Sequence, residues 1–143
     1  MPVSQAHAAW HGDIPTGSGE FTAGGSVTGG VTYKSRFEGG PGSNPEQLIA
    51  AAHASCFSMA LAGALADAGF PAESIETDAS VTLRPVDGIP TITRIELVTS
   101  GRVSGLDGDK FRQFADAAKA NCPVSRALAG VPDVTLQATL SDG

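Results

Sequence analysis

One stretch limits the fold more than any other. Ser43-Asn-Pro-Glu-Gln47 supplies a capping side chain, a proline suited to the first helical position and an acidic first turn. A long run of alanine and other apolar residues follows, and the helix should stop near Ala68, where Gly69 and then Pro71 end it. His53, Ser55, Ser58 and Asp67 interrupt the apolar tract, so it reads as a buried helix and not as a bilayer span. With many alanines and Gly63 inside, other backbones can approach closely. The helix should be central, contacted on several sides and suited to packing against another copy of itself.

The flanking pattern is that of strands. Up to Ser43, Trp10, Phe21, Val27, Val31, Tyr33 and Phe37 are spaced between glycines, which predicts two or three twisted strands with a turn at Thr16-Gly-Ser-Gly19. Ser74–Pro85 and Thr91–Gly101 alternate apolar and polar residues around a turn at Val86-Asp-Gly-Ile-Pro90. Asp107 can cap a second helix whose Phe111, Phe114, Ala115 and Ala118 share a face. Pro123 ends that helix and can start a short helical turn, before a final strand carrying Val134, Leu136, Ala138 and Leu140. Runs of strands punctuated by helices make this an α+β chain and not a doubly wound one. With no repeat or linker, residues 1–143 read as a single domain.

Composition excludes some partners. The net charge is −6 and the nine Lys and Arg residues form no cluster, which argues against nucleic acid or an anionic membrane. The N-terminus lacks the basic and apolar segments of a secretory signal, so a cytoplasmic location is expected. In a reducing compartment Cys56 and Cys122 would not form a permanent bridge. They read either as two inert core thiols or as a transient redox pair.

Local position does not decide which thiol is reactive. Cys56 lies mid-helix, away from the favourable charge of a helix N-terminus, and needs a positive group from elsewhere to become a thiolate. Cys122 precedes Pro123 and can occupy a helix cap, where unpaired N–H groups acidify a thiol, so local physics slightly favours Cys122. Glu46 alone suits a helix N-terminus, and Arg36 alone suits a solvated strand end. His53, three residues before Cys56 on the same helical face, invites a Cys–His dyad, but further ligands for a metal are missing. Phe57 and Met59 are candidates to line an apolar surround for the thiol.

Arg36-Phe-Glu-Gly39, the block Gly42-Ser-Asn-Pro-Glu-Gln-Leu-Ile-Ala-Ala-Ala-His-Ala-Ser-Cys-Phe-Ser-Met-Ala-Leu61, the opening Ala9-Trp-His-Gly12 and Asn121-Cys-Pro-Val-Ser125 together resemble the osmotically inducible protein C (OsmC) family. The resemblance runs in order along essentially the whole chain. It implies the OsmC-like fold, with N-terminal antiparallel strands, a long central helix, further strands and a second helix, in an intertwined homodimer. It also implies a peroxidatic role for Cys56, a resolving role for Cys122, an active-site role for Arg36 and a carboxylate at Glu46 that holds it. The related organic hydroperoxide resistance branch carries its arginine nearer the N-terminus. No arginine precedes Arg36 here, which favours the OsmC branch. Ser43 and Gln47 depart mildly from the commoner Thr and Glu.

The activity implied is reduction of a hydroperoxide substrate. The Cys56 thiolate takes the distal oxygen and becomes a sulfenic acid, Cys122 closes a disulfide on it, and an external dithiol, a lipoyl type among the candidates, restores both thiols. No metal, haem or flavin is required. Glu46 and Cys56 stand ten residues apart, about 15 Å along a continuous helix and about 80° out of phase. Either the helix breaks between them, or Arg36 bridges a long gap, or the Glu46 near a given thiol comes from the partner chain.

Overall fold

In the computed structural model, which describes residues 2–141, contacts gather into two units, Met1–Gln47 and Leu48–Gly143. The first unit holds three antiparallel strands in the order β1 (Ala6–His11), β2 (Ser18–Ala23), β3 (Val27–Val31). The first turn falls earlier than its glycines suggest. Asp13 accepts from the Thr16 N–H at 2.9 Å and its carbonyl from the Gly17 N–H at 2.9 Å, so Ser18 and Gly19 already pair within β2.

Tyr33 and Phe37 are not strand residues, as their spacing suggested; they bound a five-residue helix, α1 (Tyr33–Phe37). The cause is a capping box: Thr32 Oγ1 accepts from the Ser35 N–H at 3.0 Å while Ser35 Oγ accepts from the Thr32 N–H at 2.8 Å. The long helix α2 (Pro45–Asp67) then starts where its signals place it. Its cap is Asn44, whose Oδ1 accepts from the Gln47 N–H at 2.8 Å.

In the second unit, β4 (Ala72–Val86) and β5 (Ile89–Val103) form a long antiparallel hairpin. Only Asp87 and Gly88 form its turn, with φ of 51° and 79°, the doubly positive backbone that matches the twist of paired strands. Both strands therefore run further than their alternation alone predicted. Asp107 caps α3 (Gly108–Asn121) as expected, α4 (Pro123–Ala127) follows at once, and β6 (Asp133–Leu140) pairs parallel to β5. The sheet order is β4-β5-β6.

Ile95, Leu97, Thr99, Gly101 and Val103 alternate along β5 as its buried face. A Cβ on Gly101 would lie 2.6 Å from Phe111 Cε1, so the missing side chain is what lets the α3 aromatic ring rest on the strand. On α2, Phe57, Leu61 and Leu65 repeat every fourth residue and are completely buried in the same cluster. Each such burial stabilises by about 1.5–3 kcal/mol, far more than helix propensity, so packing fixes this face of α2. A chain of hydroxyls ties the helix to the sheet: Ser58 Oγ to Thr77 Oγ1 at 2.7 Å, and Thr77 Oγ1 to Thr99 Oγ1 at 2.9 Å.

By length and composition α2 could cross a membrane. Within one chain, however, it is contacted on one stripe and not on several sides. Only 22% of its most apolar 18-residue window is buried, and Met59 is 76% exposed.

Candidate active site

The four site residues expected from the sequence come together as two pairs. In the first unit Arg36, from α1, donates through Nε (3.2 Å) and Nη2 (2.8 Å) to Glu46 Oε1. The local chain builds this pair with one side chain. While its Oδ1 caps α2, Asn44 uses its Nδ2 to donate to the Ser35 carbonyl at 3.1 Å. The Ser35 hydroxyl in turn reaches the Ser43 carbonyl at 2.8 Å. The end of α1 is thereby fastened to the start of α2. Glu46 is 7% exposed, so its carboxylate depends on the guanidinium for the charge-assisted bonds that offset its burial.

In the second unit Cys56, from α2, and Cys122, at the junction of α3 and α4, are both reduced and packed in the same core cluster, close enough to shift one another's acidity. Their acidities diverge. Burial pushes the Cys56 thiol up, and the contact with Cys122 pushes it further, against a smaller opposing effect of the Val124 N–H. For Cys122, burial also acts upward but is outweighed. The Cys56 S–H, the Ser125 N–H and hydroxyl, and the Val124 N–H all favour its thiolate, so its pKa falls below the ordinary value. Cys122 Sγ makes no formal capping bond, yet its position before Pro123 directs these groups at the sulfur. The acidity that local position suggested for Cys122 is thus present in the fold.

His53 does not act as the dyad partner of Cys56. It is fully buried, and its Nε2 lies 2.7 Å from Ser125 Oγ, a residue 72 positions away. Burial lowers its pKa and keeps the ring neutral. Ser125 carried no role in the sequence reading; its place three residues after a capping cysteine was the available signal. Of the two candidates for an apolar surround, Phe57 is a core residue packed in the same cluster as Cys122, whereas Met59 is exposed.

A donor-rich carboxylate clamp and a pair of contacting thiols of unequal acidity can support thiolate chemistry, with disulfide closure between the cysteines. The OsmC-like protein family model matches residues 38–137. The chain is 47% identical over 126 residues to peroxiredoxin OsmC of Escherichia coli (strain K12), covering 87% of each protein. It is 38% identical over 100 residues to the organic hydroperoxide resistance protein of Xanthomonas axonopodis pv. citri (strain 306), covering 68% of each. Among solved structures, the organic hydroperoxide resistance protein OhrB of Bacillus subtilis superposes with a TM-score of 0.71 at 27% identity, over 96% of this chain and 98% of that one. With the matched region spanning both cysteines, this chain belongs to the OsmC-like protein family.

Proposed function

We propose that the protein is a thiol peroxidase that reduces organic hydroperoxides, and hydrogen peroxide as well, in a stress and detoxification role. The contact between Cys56 and Cys122 carries this reading: two reduced thiols, placed together by elements far apart in sequence, suit formation and opening of a disulfide. The names of the relatives, a peroxiredoxin and a hydroperoxide resistance protein, support the substrate class.

In this reading the Cys56 thiolate attacks the distal peroxide oxygen. The O–O bond breaks, the alcohol leaves with a proton, and Cys56 holds a sulfenic acid. Cys122 attacks that sulfur, water leaves, and an external dithiol reduces the disulfide by two electrons. Because burial and Cys122 disfavour the Cys56 thiolate within one chain, positive charge must be brought to it, and Arg36 held by Glu46 is the group assigned to this. Helix α2 runs unbroken from Pro45 to Asp67, and its exposed small-residue face suits a homodimer in which the partner's copy of the clamp serves the site. We place this cycle in the cytoplasm, where dithiols are kept reduced.

Dithiol-dependent consumption of an alkyl hydroperoxide, compared with hydrogen peroxide, tests the function. Turnover with excess dithiol is expected, faster with the alkyl substrate. Formation of one disulfide per chain without turnover would instead favour a redox-responsive binding or stress protein, a reading favoured by the raised pKa of Cys56 in the single chain.

A further inference from the structure

Nothing in the peroxidase cycle uses His53, yet the fold buries it completely beside that chemistry. Its Nε2 lies 2.7 Å from Ser125 Oγ. Ser125 stands three residues after Cys122, the N-cap residue of α4, where its hydroxyl favours the Cys122 thiolate, and Cys122 packs in the same core cluster as Cys56. Imidazole, hydroxyl and the two thiols are thus gathered in one part of the second unit. The other ring nitrogen, Nδ1, is buried and has no hydrogen-bond partner among the described residues. A phenylalanine or leucine would fill this place without stranding a polar atom, so packing alone does not account for the histidine.

The hydrogen bonds assign the protons. A buried neutral imidazole carries one N–H. On Nδ1 that proton would be a buried donor with no acceptor. On Nε2 it is donated to Ser125 Oγ and leaves only an unused lone pair, the more tolerated kind of exception. With its oxygen accepting from His53, the Ser125 hydroxyl has one proton left to give, and Cys122 is the sulfur whose thiolate it favours.

We propose that His53 and Ser125 are positioning residues for the resolving step, His53 turning the Ser125 hydroxyl on to Cys122 so that this sulfur is ready to close on oxidised Cys56. The proposal rests on the thiol-peroxidase reading. In the step, an electron pair on Cys122 forms the S–S bond as the S–O bond of the Cys56 sulfenic acid breaks. The leaving hydroxide takes up a proton equivalent to the one Cys122 gave up and departs as water, so no co-reactant is needed. Oxidation of Cys56 removes the S–H that supported Cys122 in the reduced state. The Ser125 hydroxyl then remains as its side-chain donor at the moment of attack.

The test mixes reduced protein with stoichiometric tert-butyl hydroperoxide, quenches with dimedone, and follows sulfenic acid and disulfide by mass spectrometry. In Ser125→Ala and in His53→Phe, disulfide closure is expected to slow by about tenfold or more, with the dimedone adduct accumulating. Ser125→Thr, which keeps a hydroxyl, should close near the parent rate, a rescue that a purely structural role does not predict. Closure at the parent rate in folded Ser125→Ala overturns the proposal. If the parent consumes no hydroperoxide, it is the peroxidase reading that has failed. Positioning is then read from iodoacetamide alkylation of Cys122 by peptide mapping, which should slow several-fold in Ser125→Ala and recover in Ser125→Thr. Equal alkylation in the alanine variant and the parent would also overturn it.

Discussion

Cys56 and Cys122 lie close enough that each alters the other's acidity, the contact raising the pKa of Cys56 and lowering that of Cys122. After burial, Cys122 is the main reason that the Cys56 thiolate is disfavoured. Cys122→Ala should therefore lower the pKa of Cys56, measured as ultraviolet thiolate absorbance against pH. An unchanged or higher value would mean that the contact does not set the acidity.

The roles of the cysteines are separated by one oxidation. Cys56→Ser should abolish peroxide reduction. Cys122→Ser should yield one sulfenic acid per chain and no disulfide, detected by mass spectrometry after trapping. If the first oxidation is instead lost in Cys122→Ser and kept in Cys56→Ser, the roles are reversed.

Arg36 reaches Glu46 through two of its nitrogens at 3.2 and 2.8 Å. A lysine retains the charge but not the rigid fork, so it cannot hold the carboxylate and present further donors in the same geometry. Arg36→Lys is expected to slow oxidation of Cys56 by about tenfold, taking one lost charge-assisted bond as the measure. Equal second-order rates for variant and parent would remove Arg36 from the reaction.

Subunit mixing tests whether a site draws on two chains. Glu46→Ala and Cys56→Ser, each inactive alone, should regain part of the parent activity after co-refolding, because a heterodimer then carries one intact site. Dimers without recovered activity would place Glu46 in its own chain's site. A fully active monomer in sedimentation would remove the dimer altogether.

Stability should fall on acidification through His53. Its pKa in the folded chain lies below the ordinary 6.5, because burial disfavours the imidazolium. The unfolded chain therefore binds the extra proton more readily, and stability declines as pH drops below about 6.5 towards the folded value. His53→Phe should flatten that part of the pH profile of urea unfolding. A parent-like slope in the variant would assign the acid sensitivity to other groups.

Much of the second unit was legible because its signals are local. Alternation along β5, the Asp107 cap and the proline after Cys122 each determine structure within a few residues. The short helix α1 was not read, since aromatic residues between glycines resemble a strand. The Thr32 and Ser35 side chains that nucleate it form a capping box with serine where glutamate is usual. The Arg36 and Glu46 assignments came from family resemblance, and the fold supplies the local reason that they meet: Asn44, bonded to both helices. The partnership of His53 with Ser125 could not be seen at all. Spacing suggested Cys56 as the neighbour, and only tertiary packing brings α4 to the ring.

The parallel pairing of β6 with β5 has a consequence for how the protein is made. Parallel neighbours require a crossover, and here the crossover consists of α3 and α4 with Cys122 between them. The strand that completes this crossover, β6, is synthesised after Cys122 and pairs with β5 only then. A growing chain thus presents Cys56 first, as a lone thiol without Cys122 beside it. Ribosome-bound or C-terminally truncated chains should accordingly be the forms of this protein most open to irreversible over-oxidation.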